Sequence, residues 1–238
     1  MKKENSKEQK SIAAGQSQTA VSLTAARLSL AATAMFVVLL AALHIIKPEF
    51  DPSWHFISEY EIGKNGWIMQ LAFFSLALGN IALFAAIRSQ IRDIWGRIGL
   101  ALLLVGAVGL VIAGIFITDP VTASHDSLTT SGNLHSLGGT LGIAGFFANL
   151  IIGWKLSRNK AWVSARWAIL LSTGLVVIGF LVSAGSIGIM LSQNNGAFGP
   201  GVLVGWPNRF GILTGCVWQM VVAWHTIRIG SADDDEGE

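Results

Sequence analysis

Six stretches of about twenty mostly apolar residues alternate with short polar breaks along the chain, at roughly 27–46, 67–87, 98–118, 136–156, 167–191 and 209–229. A bilayer hydrocarbon core about 30 Å thick is crossed by about 20 residues rising 1.5 Å each, so every run predicts a transmembrane helix. The fold class is therefore all-α, an integral membrane bundle of six helices. No proline falls inside any run, which predicts uninterrupted helices. Residues 1–22 are polar, lysine-rich and aperiodic, and are expected to form a disordered cytoplasmic tail. The bundle itself occupies about 23–230, and 231–238 form an acidic cytoplasmic tail. The first run follows a long polar leader and lacks a convincing small-residue cleavage site, so it reads as an uncleaved anchor.

Composition agrees with lipid as the solvent: 52% of the 238 residues are hydrophobic and only 13% are charged. The net charge of +2 is no sign of nucleic-acid binding, because the basic residues sit in short loops and in the N-terminal tail rather than on one face. Their placement reports orientation instead. Of the 16 lysines and arginines, only Lys47, Lys64 and Arg209 lie on the side opposite the N-terminus. That bias puts the N-terminus in the cytoplasm, and the even span count puts the C-terminus there too. The expected location is the inner (cytoplasmic) membrane, with membrane lipids as the first partners.

Within the spans, small residues recur at spacings of three and four, among them Gly109, Ala113, Gly138, Gly142, Gly145, Gly179 and Ser183. They predict close helix packing, or a glycine-rich face for a second copy or another membrane protein. Asn80, Asn149 and Gln219 are amides inside spans, expected to face the bundle interior as interhelical glue. Cys216, the one cysteine, reads as a small core residue, and His44 and His225 as packing residues.

The opposite, extracytoplasmic face collects the titratable chemistry. Its first loop, KPEFDPSWHFISEYEIGKNGW, starts a segment with Asp51 followed by Pro52, the pattern of a helix N-cap and first helical position. A short interfacial helix beginning there would set Asp51, His55, Ser58 and Glu59 on one face. The second loop, TDPVTASHDSLTTSGNLH, brings Asp119, His125, Asp126 and His135. Imidazoles and carboxylates of two loops are ingredients for a zinc ion with an open position, with His55, His135, Asp119 and Asp51 as ligands, Glu59 as general base and Ser58 as a nucleophile. Their spacing matches no established zinc signature. Equally open at this point is helix capping by Asp51 and Asp119, while Glu49, Glu61 and Asp126 are expected to be solvated loop charges rather than ligands. Arg209, at the end of the glycine-rich third loop, is placed to hold a lipid phosphate or carboxylate, or to balance the outer acids.

FDPSWHFISEYEIGKNGW after the first span, GIFITDP at the end of the third and GNLHSLGG entering the fourth together resemble the bacterial membrane family catalogued as domain of unknown function 998. The resemblance runs from about residue 27 to 229. It implies a six-helix membrane protein whose marked positions are Asp51, His55, Ser58, Glu59, Asp119 and His135. A remoter similarity, of ingredients only, is to membrane hydrolases such as alkaline ceramidases, although the last span here lacks their paired outer histidines. The expected functions are thus a metal-dependent hydrolase or lipid-modifying enzyme at the outer leaflet, a small transporter or ligand-binding membrane protein, or a non-catalytic partner of a membrane complex.

Overall fold

The computed structural model describes residues 22–235. The expected disordered N-terminal tail lies outside the described residues except for Ser22, as do the last three residues of the acidic tail. Six helices are long and apolar enough to cross a membrane. In chain order they are α1 (Leu23–Ile46), α2 (Trp67–Ile87), α3 (Ile94–Ile115), α4 (Thr130–Ser157), α5 (Arg166–Gln193) and α6 (Gly205–Asp235). Among the described residues there is no strand.

Several helices start before their apolar run because a polar side chain caps them. Ser22 accepts from the Ala25 N–H, Asp93 from Gly96 and Thr129 from Gly132. Thr129 thereby brings Asn133 and His135 into α4, ahead of the apolar stretch that begins near 136. Helix α6 likewise extends past its apolar run at both ends and reaches Asp235, into the acidic tail.

Each helix packs on the next in sequence, and α6 returns to α1, so the six form a closed ring. Its tightest seam joins α3 to α4. A Cβ on Gly109 would stand 2.5 Å from the Gly138 carbonyl oxygen, and one on Gly138 would stand 2.7 Å from the Ala113 nitrogen. Only glycine lets these backbones meet. The α4–α5 seam is the loosest between neighbours in sequence, and the outer halves of both helices expose Gly139, Ile143, Val182, Ala184 and Gly188.

Two apolar clusters hold the ring at different heights. One, toward the termini, gathers Leu83, Ile87, Ile152, Leu156, Trp162 and Trp218. The other, toward the opposite end, gathers Phe36, Leu43, Tyr60, Met69 and Phe73 with Ile57 of the first loop. The end bearing the termini also carries most of the lysines and arginines, tied in part by an Asp93–Lys155 pair at 2.7 Å. By the basic-residue bias that end is cytoplasmic, and the opposite end is called outer below.

Candidate functional site

The first outer loop folds against the bundle rather than lying on it. Lys47, which caps α1, is 1% exposed and turns its ammonium inward to donate to the carbonyls of Tyr60 and Ile62. Burial lowers its pKa below the usual lysine range, partly offset by Glu49 at 3.8 Å. The chain then makes one turn at Asp51–His55, with the Asp51 carboxylate accepting from the Ser53 N–H at 2.8 Å. That hydrogen bond holds the Asp51 carboxyl below its ordinary range.

The interfacial helix predicted to run from Asp51 is interrupted. Phe56 is extended (φ −70°, ψ 154°), and a 3₁₀ turn follows at Ile57–Glu61. Asp51, His55, Ser58 and Glu59 therefore do not form one helical stripe. Glycine closes the loop: a side chain on Gly66 would collide with the Glu61 carbonyl.

The 3₁₀ turn buries two glutamates, each of which reaches the second outer loop. Glu59 accepts from the Val121 N–H at 3.0 Å and from Phe56 at 3.0 Å, with His55 Nδ1 at 3.0 Å. The His55 contact is one of proximity rather than a directed hydrogen bond, since Nδ1 makes none. Glu61 accepts from the Thr118 N–H at 3.3 Å and lies 3.1 Å from His135 Nδ1. The sequence left open whether the two outer loops meet; these two carboxylates join them. Glu61, expected from the sequence to be a solvated loop charge, is instead 2% exposed, because it turns inward to meet the second loop. Burial pushes its carboxyl above the ordinary 4.5, against the pull of His135 and Thr118, and its second oxygen has no partner among the described residues.

His135 is oriented on three sides. Its Nδ1 lies 2.9 Å from the Phe116 carbonyl, 3.1 Å from that of Ala113 and 3.1 Å from Glu61. Three acceptors around one nitrogen require Nδ1 to carry the proton, which leaves Nε2 as the free edge of the ring. Phe73 meets the ring edge-on at 5.9 Å.

The remaining candidates are placed separately. Asp119 accepts from the Thr129 N–H at 2.8 Å and the Thr129 hydroxyl at 2.9 Å, closing the second loop onto the start of α4. A side chain on Gly132 would collide with that carboxylate. His125 and Asp126 are exposed. Thus the four residues predicted as zinc ligands go four ways: His55 to Glu59, His135 to Glu61, Asp119 to Thr129, and Asp51 to Ser53. Among the described residues no three His, Cys, Asp or Glu side chains gather in a way that could hold a metal ion.

Arg209 is 2% exposed and donates to His44 Nε2 (2.9 Å), to the carbonyls of His55 (2.7 Å), Gly205 (3.0 Å) and Pro52 (3.3 Å), and to the Tyr60 hydroxyl (3.1 Å). Its guanidinium fork clamps the first loop onto α6. His44 accepts on Nε2, so its Nδ1 carries the hydrogen that is donated to the Leu40 carbonyl at 2.8 Å. Local spacing gave no sign of this clamp, because Arg209 lies 149 to 165 positions from Tyr60, His55, Pro52 and His44.

Behind this face lies a cavity of about 520 Å³ inside the ring. Ser58, Phe56, Asn208 and His135 line its outer end; Phe36, Phe73, Phe146 and Phe180 line its walls; Asn80, Asn149 and Gln219 line its deep end. On the α4 side Gly139, Gly142 and Gly145 leave their would-be Cβ positions empty, with nothing within 4 Å. The sequence read these glycines as helix-packing surface. Gly138 serves that purpose, and the Gly142 and Gly145 nitrogens also meet α3, at 2.7 Å and 3.1 Å from would-be Cβ positions on Gly109 and Gly106; on their other side these two and Gly139 leave the cavity its width. Phe198 of the third loop meets Phe56 edge-on at 5.5 Å.

Neither the curated proteins nor the solved structures contain a match to this chain. The family described as "Protein of unknown function (DUF998)" matches residues 30–225, from early in α1 to late in α6. The match reaches into all six spans and takes in the two buried outer glutamates and every residue that lines the cavity, and the chain belongs to the DUF998 family.

Proposed function

We propose that this protein handles lipid: it admits an amphiphile sideways from the bilayer into its central cavity and presents it to His135, which exchanges a proton with it. The observation that carries this reading is the cavity itself, apolar-walled and about 520 Å³ in volume, with Gly139, Ile143 and Ala184 of the outer halves of α4 and α5 both lining it and exposed. That volume is in the range that encloses a small-molecule ligand. A water-soluble solute would enter from the outer face, whereas a gap between two helices faces acyl chains.

The chemistry at the outer end suits a modifying enzyme. Glu61 and two backbone carbonyls hold the Nδ1–H of His135, so Nε2 is positioned to take a proton from a ligand hydroxyl or water and to return it. Ser58, also on the cavity wall, is the one hydroxyl of the first loop's 3₁₀ turn available to such a ligand. Glu59 and Arg209 support this end from behind, since their polar atoms are engaged by the loops. No metal enters this reading.

Native mass spectrometry of the protein in mild detergent tests the binding step. Wild type should retain one lipid-sized adduct or take up one molecule of added lysophospholipid, and Gly142→Phe, which fills the cavity, should retain none. Incubation with total membrane lipid, followed by lipid analysis, tests the chemistry: a product made by wild type should be absent with His135→Ala. A wild type that neither retains nor takes up an amphiphile would remove the basis for both steps.

A further inference from the structure

The deep end of the cavity is polar where a hydrocarbon tail alone would want it apolar. Asn80 on α2 and Asn149 on α4 are 8% and 9% exposed, and both line the cavity. Neither side chain has a hydrogen bond among the described residues, whereas Gln219 on α6 reaches Ser29 at 3.4 Å. An amide left unpartnered inside a membrane costs free energy, and every donor and acceptor there needs an internal partner or a ligand.

The three amides occupy one level. The Gln219 amide nitrogen lies 2.6 Å from where a Cβ on Gly79, the neighbour of Asn80, would stand. The Asn149 amide nitrogen lies 3.8 Å from the corresponding point on Gly215, one helical turn before Gln219. Gln219 is 14 residues into α6, about 21 Å along its axis from the outer end. Whatever partners these amides therefore sits deep in the bilayer.

Two further features narrow its chemistry. Among the described residues no lysine, arginine, aspartate or glutamate lines the cavity, so a charged group at this depth would have no counter-ion among them. The walls are aromatic, with Phe146 and Phe180 stacked at 4.0 Å and Phe36 and Phe73 opposite the α4–α5 side. Amide donors beside flat apolar faces suit a planar ring bearing carbonyl oxygens.

We infer that the deep end of this cavity is a subsite for the flat, neutral, carbonyl-bearing ring of a lipid-soluble molecule of the quinone class, held by Asn80 and Asn149. Its hydrocarbon tail leaves past Gly139 and Gly142 into the bilayer. The inference rests on the lipid-handling reading above for the admission of a lipid-soluble molecule, and not on proton exchange at His135, which lies 14 residues, about 21 Å, from Asn149 along α4.

The test uses the full chain in mild detergent and a radiolabelled 1,4-benzoquinone with a decyl tail as the probe. Binding should be saturable, with one molecule per chain. Asn80→Leu and Asn149→Leu should each weaken it about tenfold, the worth of one lost hydrogen bond. Both variants should melt, without probe, at the wild-type temperature or above, because each removes an unpartnered buried amide. A lower melting temperature for both with probe affinity unchanged would make the amides structural, bridged by water, and would overturn the inference. Uptake of lysophospholipid that Gly142→Phe abolishes, together with no binding of the quinone, would overturn the quinone subsite alone. Failure of both probes would overturn the lipid-handling reading with it.

Discussion

At the scale of single residues, the outer end of the bundle is built on buried charges, each satisfied in its own way. Lys47 and Arg209 give their protons to backbone carbonyls, which hold the first loop without a carboxylate within ion-pair distance of Arg209 among the described residues. Glu59 is met by two backbone N–H groups, while Glu61 is left with one free oxygen. That difference has a consequence for stability. Burial raises the Glu61 carboxyl above its ordinary 4.5, so the folded protein holds this proton more tightly than the unfolded chain does. The associated stability is fully present below 4.5 and is lost as the pH rises through the folded value. Melting curves across that window should therefore show a downward component in wild type that Glu61→Gln lacks. Parallel pH profiles for the two proteins would mean that Glu61 ionises in the fold as readily as in the unfolded chain.

At the scale of elements, the spans were legible because a bilayer imposes one length and one hydropathy on every helix that crosses it. Helix ends were less so, since Asp93 and Thr129 extend α3 and α4 beyond the apolar runs by capping. The first outer loop was misread for a different reason. Asp51, His55 and Glu59 have helical spacing, but the backbone between them is decided by Lys47, Arg209 and the second loop, none of which local spacing encodes. The candidate site was accordingly half legible: His135 and Glu59 stood out by residue type, while the partnership of Glu61 with His135 spans 74 positions and left no local trace. The glycines of α4 illustrate the same limit, because adjacent ones do opposite things. Gly138→Leu should destabilise by about 1–3 kcal/mol, as its side chain would meet the α3 backbone, whereas Gly139→Ala should melt at or above the wild-type temperature, as nothing lies within 4 Å of its added carbon and alanine favours the helix. Equal losses from the two would mean that the α3–α4 seam and the cavity wall are not distinguished as described.

At the scale of the whole molecule, a closed ring with one loose seam combines two requirements that a solid bundle cannot meet. The α3–α4 backbones are in contact, and α6 closes on α1, so the ring is rigid enough to keep amides and aromatic rings around an interior space. The α4–α5 side, held at mid-height by the Phe146–Phe180 stack and further in by the close approach of Gly153 to Thr173, is where a molecule can pass between cavity and lipid in the proposed reading. Which leaflet supplies that molecule depends on orientation, because the seam loosens toward the end that carries Glu61 and His135. The lysine and arginine bias places that end outside the cytoplasm. Cysteine labelling checks it directly, since Cys216 is 2% exposed and should stay silent. In intact cells a membrane-impermeant maleimide should label Asp126→Cys in the second outer loop, and should reach Arg158→Cys, after α4, only once the membrane is permeabilised. The reverse pattern would turn the seam toward the inner leaflet, so that the cavity would draw on cytoplasmic-side lipid and His135 would exchange protons with the cytoplasm.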